Sequence, residues 1–135
     1  MRVTPYLFFD GRCEEAITLY ANLLGGKVEA MMRYDGSPAA EHVPAAMLDK
    51  VMHACLTIGD QMLMASDAPT EHERPQGMSV SLHIDEPEEA ERVFAGLAEG
   101  GTVTMPMEET FWAKRFGAVT DRFGTPWMVN CAPAA

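Results

Sequence analysis

The sequence predicts an α+β fold in which two tandem βαβββ modules form a curved mixed sheet, and three observations predict it. The stretch EEAITLYANL, residues 14–23, recurs 74 positions later as EEAERVFAGL, residues 88–97, with five of ten positions identical. Each copy follows an apolar run that closes on an aspartate, Asp10 or Asp85. Each is followed by a glycine pair, Gly25-Gly26 or Gly100-Gly101, and a new apolar start. A repeat of that length and order is one supersecondary unit used twice. At 135 residues the chain can bury one core but not two independent ones, so the halves are expected to share a single domain, 1–135. Its modules are then 1–68 and 77–133, joined by a linker at 69–76 that is polar and carries two prolines when taken as 69–77.

The elements follow in order. Residues 3–9 read as a strand closed by Asp10-Gly11. Cys13, Ala16, Ile17, Tyr20 and Leu24 fall on one face of a helix over 13–24, with Gly25 suited to its C-terminal cap. A strand is expected at 27–34. Residues 35–50, with two prolines and four alanines, fit neither period, and a loop of that length is a candidate lid. In 52–58, Ala54, Leu56 and Ile58 alternate with His53, Cys55 and Thr57, and Gly59-Asp60 is a hairpin turn into 61–66. The second module opens with Val80, Leu82 and Ile84 alternating with Ser79, Ser81 and His83. Its helix is expected from Asp85, with Glu88 completing a capping box, Pro87 in the first turn, and Ala90, Val93, Phe94, Leu97 and Ala98 as its inward stripe. Strands at 102–107, 114–121 and 126–131 complete it. Asp121 is expected to order the last tight turn, and Ser66-Asp67 to end a strand in an Asx-type turn.

Composition limits the partners. Twenty acidic against ten basic residues give a net charge of −10, which disfavours nucleic acid and anionic membranes. No apolar run approaches the roughly 20 residues of a membrane helix, and the first residues enter a strand pattern without a signal-peptide core, so a cytoplasmic protein is expected. Cys13, Cys55 and Cys131 form no CxxC and read as buried thiols.

Four pieces carry a resemblance: PYLFFDGRCEEAITLY from Pro5, His53-Ala54, LMASDA from Leu63, and above all ETFWAKRFGAVTDRFGTPWMVN from Glu109. Over nearly its whole length the chain resembles the PhnB-like branch of the vicinal oxygen chelate superfamily, which includes glyoxalase I, bleomycin-binding proteins and extradiol dioxygenases. Metal-using members of that superfamily place His and Glu ligands on four strands, and the corresponding positions here are Pro5, Met64, Ser79 and Met128. A ring, two thioethers and a hydroxyl do not replace imidazole and carboxylate, so no metal and no other cofactor are expected. Chains of this branch are often labelled methyltransferases of ubiquinone biosynthesis, but the sequence has no glycine-rich strand-to-helix turn for a nucleotide-like methyl donor.

The resemblance implies a small-molecule binding protein and a homodimer, and the alternation, which needs Ala54, Leu56, Ile58, Val80, Leu82 and Ile84 under the helices, puts the ligand on the opposite sheet face. The candidate ligand-binding residues are His53, Thr57, Ser79, Ser81 and Met128 on that face, with Trp112 and Phe116 as a stacking wall at its rim. The alternative is a metal-dependent isomerase, lyase, transferase or dioxygenase of the same superfamily. No nucleophile with its base is evident, so no catalytic residue is assigned.

Overall fold

The computed structural model describes residues 1–132, so Pro133, the end of the second expected module, lies outside the described residues. The chain forms two compact units that divide between Glu73 and Arg74, within the expected linker. The first holds β1 (Tyr6–Phe9), α1 (Cys13–Leu24), β2 (Lys27–Arg33), β3 (Val51–Ile58) and β4 (Gln61–Asp67). The second holds β5 (Val80–His83), α2 (Pro87–Ala98), β6 (Thr102–Glu108), β7 (Arg115–Thr120) and β8 (Pro126–Cys131). Each is a βαβββ repeat with its own four-stranded mixed sheet, ordered β1-β4-β3-β2 and β5-β8-β7-β6. In both, the first and last strands pair in parallel and the other neighbours are antiparallel.

Local chemistry sets the boundaries. β1 begins at Tyr6 rather than Val3 because Pro5 has no N–H to continue the ladder, although its carbonyl still accepts the Met64 N–H at 3.0 Å. α2 begins at Pro87, not Asp85, and the expected capping box does not form. A residue before proline is pushed out of the helical region, and Glu86 accordingly sits extended at φ −97°, ψ 122°. β2 stops at Arg33, β4 runs on to Asp67, and the strand expected at 114–121 is trimmed at both ends. The 35–50 segment contains two 3₁₀ turns, Pro38–His42 and Ala45–Met47, and is tied to itself and the sheet by Asp35 N–H to Leu48 O and Tyr34 N–H to Lys50 O.

The hydrophobic alternation divides each sheet into a helix-covered and a helix-free face. Cys13, Ala16, Ile17 and Tyr20 of α1 are buried, as are Leu7, Phe9, Ala54, Leu56, Leu63 and Ala65 of its sheet. In the second unit Ala90, Val93, Phe94 and Leu97 are buried with Val119, Trp127 and Val129. The glycine pairs let helix end and sheet approach. Gly25 takes the left-handed conformation at φ 68°, and a Cβ on Gly26 would stand 2.7 Å from the Thr57 carbonyl. Gly100, at φ 74°, and Gly101 repeat the arrangement, with a Cβ on Gly101 meeting the Thr120 carbonyl closer still.

Candidate functional site

Because Leu7 and Phe9 turn under α1, Tyr6 and Phe8 must project from the opposite face of the first sheet. The cross-strand register places Tyr6 beside Met64, Met64 beside Cys55, Phe8 beside Ser66, and Met32 beside His53. The Tyr6 Oη lies 3.1 Å from His53 Nδ1, with ring centroids 5.7 Å apart, and the Phe8 ring lies 5.0 Å from that of Tyr6. Tyr6 and Phe8 remain 39% and 52% exposed, so these rings form an open aromatic platform. Thr57 stands four residues along β3 from His53, about 13 Å away, and its hydroxyl donates to the Glu29 carboxylate at 3.0 Å. His53 is thus grouped with Tyr6 and Phe8, not with Thr57.

The second unit carries five of the seven expected residues. Ser81 pairs with Met128, Met128 with Ala118, and one row further His83, Asn130, Phe116 and Glu108 follow one another across the four strands. Ser79 is exposed and precedes β5. Trp112 packs edge-on against Phe116 at 5.4 Å and against Phe111 at 4.7 Å. Its loop is held by the Thr110 hydroxyl, which accepts the N–H groups of Trp112 and Ala113. Met107, by contrast, belongs to the covered face, where its sulfur and the Phe94 ring would meet a Cβ on Gly117.

Two buried carboxylates, Asp67 and Asp121, hold the fold together. Asp67, expected in an Asx-type turn, is instead buried at 1% exposure, accepting the Cys13 N–H on one oxygen and the Val51 N–H on the other, each at 2.9 Å. It lines an open polar cleft of about 280 Å³ with Gly11, Glu14, Arg33, Asp49 and Lys50, in which the Arg33 guanidinium is engaged by the Glu14 carboxylate and the Asp49 carbonyl. The adjoining Cys13 thiol is pushed up to about 12 by burial and by the charges of Asp67 and Glu14, which leaves it protonated and unreactive at neutral pH. Tyr34, whose hydroxyl donates to the Asp67 carbonyl, is likewise raised, mainly by burial. Asp121 orders its turn as expected, accepting the N–H groups of Phe123 and Thr125 and the Trp127 indole N–H.

The ligand sets implied by resemblance do not fit these residues. Met64 and Met128 present thioethers on the helix-free faces, Ser79 a lone hydroxyl, and Pro5 no side-chain donor at all. Among the described residues, neither unit gathers three His, Cys, Asp or Glu side chains as a metal requires. The turn into α1 is no cradle for a nucleotide-like methyl donor: it has one glycine, Gly11, faced by the Lys50 side chain, and the Cys13 N–H is already taken by Asp67. No helix among the described residues is long and apolar enough to cross a membrane.

Sequence reasoning missed Tyr6, Phe8 and Asn130. The signal for the first two was the same alternation that exposed His53, carried by only four residues of β1. Asn130 has its amide nitrogen 3.4 Å from His83 Nδ1, while its Oδ1 is buried without a partner among the described residues.

Residues 1–130 match the family described as 3-demethylubiquinone-9 3-methyltransferase. The chain is 37% identical to Escherichia coli protein YjdN, over 96% of this chain and 95% of that one. A protein of Pseudomonas aeruginosa superposes with a TM-score of 0.90 at 49% identity, covering 98% of each chain. The PhnB protein of Bacillus cereus superposes at 0.83 with 28% identity, covering 98% of this chain and 100% of that one. A glyoxylase/bleomycin resistance protein/dioxygenase domain from Frankia, 12% identical with a TM-score of 0.69 over 98% of each chain, shows the same fold. Sequence match and architecture agree: the chain belongs to the family described as 3-demethylubiquinone-9 3-methyltransferase, in its PhnB-like branch, built on the glyoxalase/bleomycin resistance fold.

Proposed function

We propose that the protein binds a small organic molecule on a helix-free sheet face, without a metal. The observation that carries this reading is the exposure of aromatic rings on that side of each sheet or at its rim, Tyr6 and Phe8 in one unit and Trp112, at 45%, in the other. Exposed apolar groups rimmed by a few polar ones mark binding surfaces, and His53, Ser81 and Asn130 supply the polar groups. Thioethers at Met64 and Met128 suit an adaptable apolar wall better than a cation. The reading includes one cytoplasmic domain spanning both modules and a homodimer, since β1, β2, β5 and β6 are the edge strands of their sheets.

The test is titration with 2-ethylnaphthalene, followed by amide chemical shifts, before and after exhaustive chelation. Shifts confined to a helix-free face and unchanged by chelation are expected. Trp112→Ala should weaken binding at the second unit by about 1 kcal/mol if the ring stacks on the probe. Absence of binding by this probe and by 2-acetylnaphthalene alike, or shifts along the helix-covered faces, would overturn the reading, and sedimentation at the mass of one chain would remove the dimer from it.

A further inference from the structure

We propose that Tyr6 holds His53 as the Nε2–H tautomer, so that the helix-free face of the first unit binds a flat aromatic molecule through a carbonyl or similar acceptor oxygen. This rests on reading that face as a binding surface and adds the class of ligand.

The chemistry starts from the 3.1 Å contact between Tyr6 Oη and His53 Nδ1. A neutral imidazole has one nitrogen that donates and one that accepts, and the bond made by either fixes the role of the other. A phenol donates well, whereas its oxygen, conjugated with the ring, accepts poorly. The favoured arrangement therefore has the Tyr6 O–H donating to Nδ1, which leaves the proton on Nε2. His53 is only half-buried, and Nε2 makes no hydrogen bond among the described residues. The face consequently offers an N–H donor that none of the described residues uses.

The surroundings determine what can present an acceptor to it. Tyr6 is tilted by 37° to Phe8 and by 34° to His53, with centroids 5.0 and 5.7 Å away, so the three rings adjoin one another and offer aromatic surface on which a flat ring system can pack. Met32, 46% exposed, flanks His53 on β2, and Met64 and Cys55 lie in the adjoining row. These neighbours offer no charge, so a neutral oxygen is satisfied as readily as an anionic one. His72 reaches the same strand but spends its Nε2 on the Phe8 carbonyl at 3.1 Å.

Two probes of equal size separate the terms: 2-acetylnaphthalene and 2-ethylnaphthalene differ by a carbonyl in place of a methylene. Wild-type protein should bind the acetyl compound about five- to tenfold more tightly, the range of one hydrogen bond. Imidazole ¹⁵N shifts should show His53 as Nε2–H before any ligand is added. Tyr6→Phe keeps the ring but removes the donor; the preference should fall below about twofold, and His53 should become a tautomer mixture. A purely structural Tyr6 would leave the ¹⁵N pattern unmoved. An Nδ1–H tautomer in the wild type, equal affinities, or binding only on the second unit would overturn the inference while leaving the broader reading standing. Failure of both compounds to bind would overturn both.

Discussion

The two units solve one problem in opposite ways. In the first, the start of α1 and the start of β3 each bring a buried N–H to the end of β4, and the Asp67 carboxylate accepts both. The repeat aligns Cys13 with Pro87, Asp67 with Cys131, and Val51 with Lys114. Proline has no N–H to satisfy, and the Lys114 N–H is taken by the Cys131 carbonyl at 2.8 Å. The second unit therefore needs no carboxylate there, and its thiol instead lies 3.4 Å from the Asp85 carbonyl. A duplicated fold can keep its apolar alternation while its polar stitching is rewritten, provided every buried donor is either paired or deleted.

The largest effect should come from forcing one solution onto the other unit. Cys131→Asp places a carboxylate at a fully buried position where the donors of the first unit are missing, and should cost roughly 4 kcal/mol in urea unfolding or prevent folding. A cost under about 1 kcal/mol would mean that the two ends are interchangeable. Asp67→Ala should cost about 3 kcal/mol, because it strands two buried N–H groups. Unchanged hydrogen-exchange protection at Cys13 and Val51 in that variant would show that other acceptors serve them.

The glycine pairs test where the units agree. Gly101→Ala should cost roughly 2–3 kcal/mol and Gly26→Ala somewhat less, since a Cβ on Gly101 would press on the Thr120 carbonyl and against the Asp121 backbone, whereas one on Gly26 meets backbone only at the Thr57 carbonyl, at 2.7 Å. The reverse order would mean that the second unit yields more easily at its helix end. The smallest effect should be that of Tyr34→Phe, about 1 kcal/mol, which removes the hydroxyl bond to the Asp67 carbonyl from a segment the second unit lacks.

The sequence was most legible where a period repeats. α1 spans the residues its apolar spacing indicates, and the alternation in β3 and β5 correctly separates His53 and Ser81 from the helix-covered face. It was least legible where one residue overrides its neighbours: Pro87 cancels the capping box, Pro5 shortens β1, and Asp67 leaves its local turn for partners 54 and 16 positions away. Asp121 was readable because its backbone partners are 2 and 4 residues away. For the proposed site, residue identity pointed to His53 on a face and Trp112 at its rim, but the role proposed for Tyr6 rests on a hydrogen bond spanning 47 residues.

The parallel pairing of β1 with β4 also orders events on the ribosome. β2, β3 and β4 join through antiparallel neighbours, whereas β1 must wait for a partner made 58 residues later, Tyr6 against Met64. In the second unit β5 waits in the same way for β8, Ser81 against Met128. The first strand of each half thus leaves the tunnel with its partner still unsynthesised, and early release of the nascent chain would leave an unpaired edge bearing Tyr6 and Phe8, a handle for chaperones and for aggregation alike.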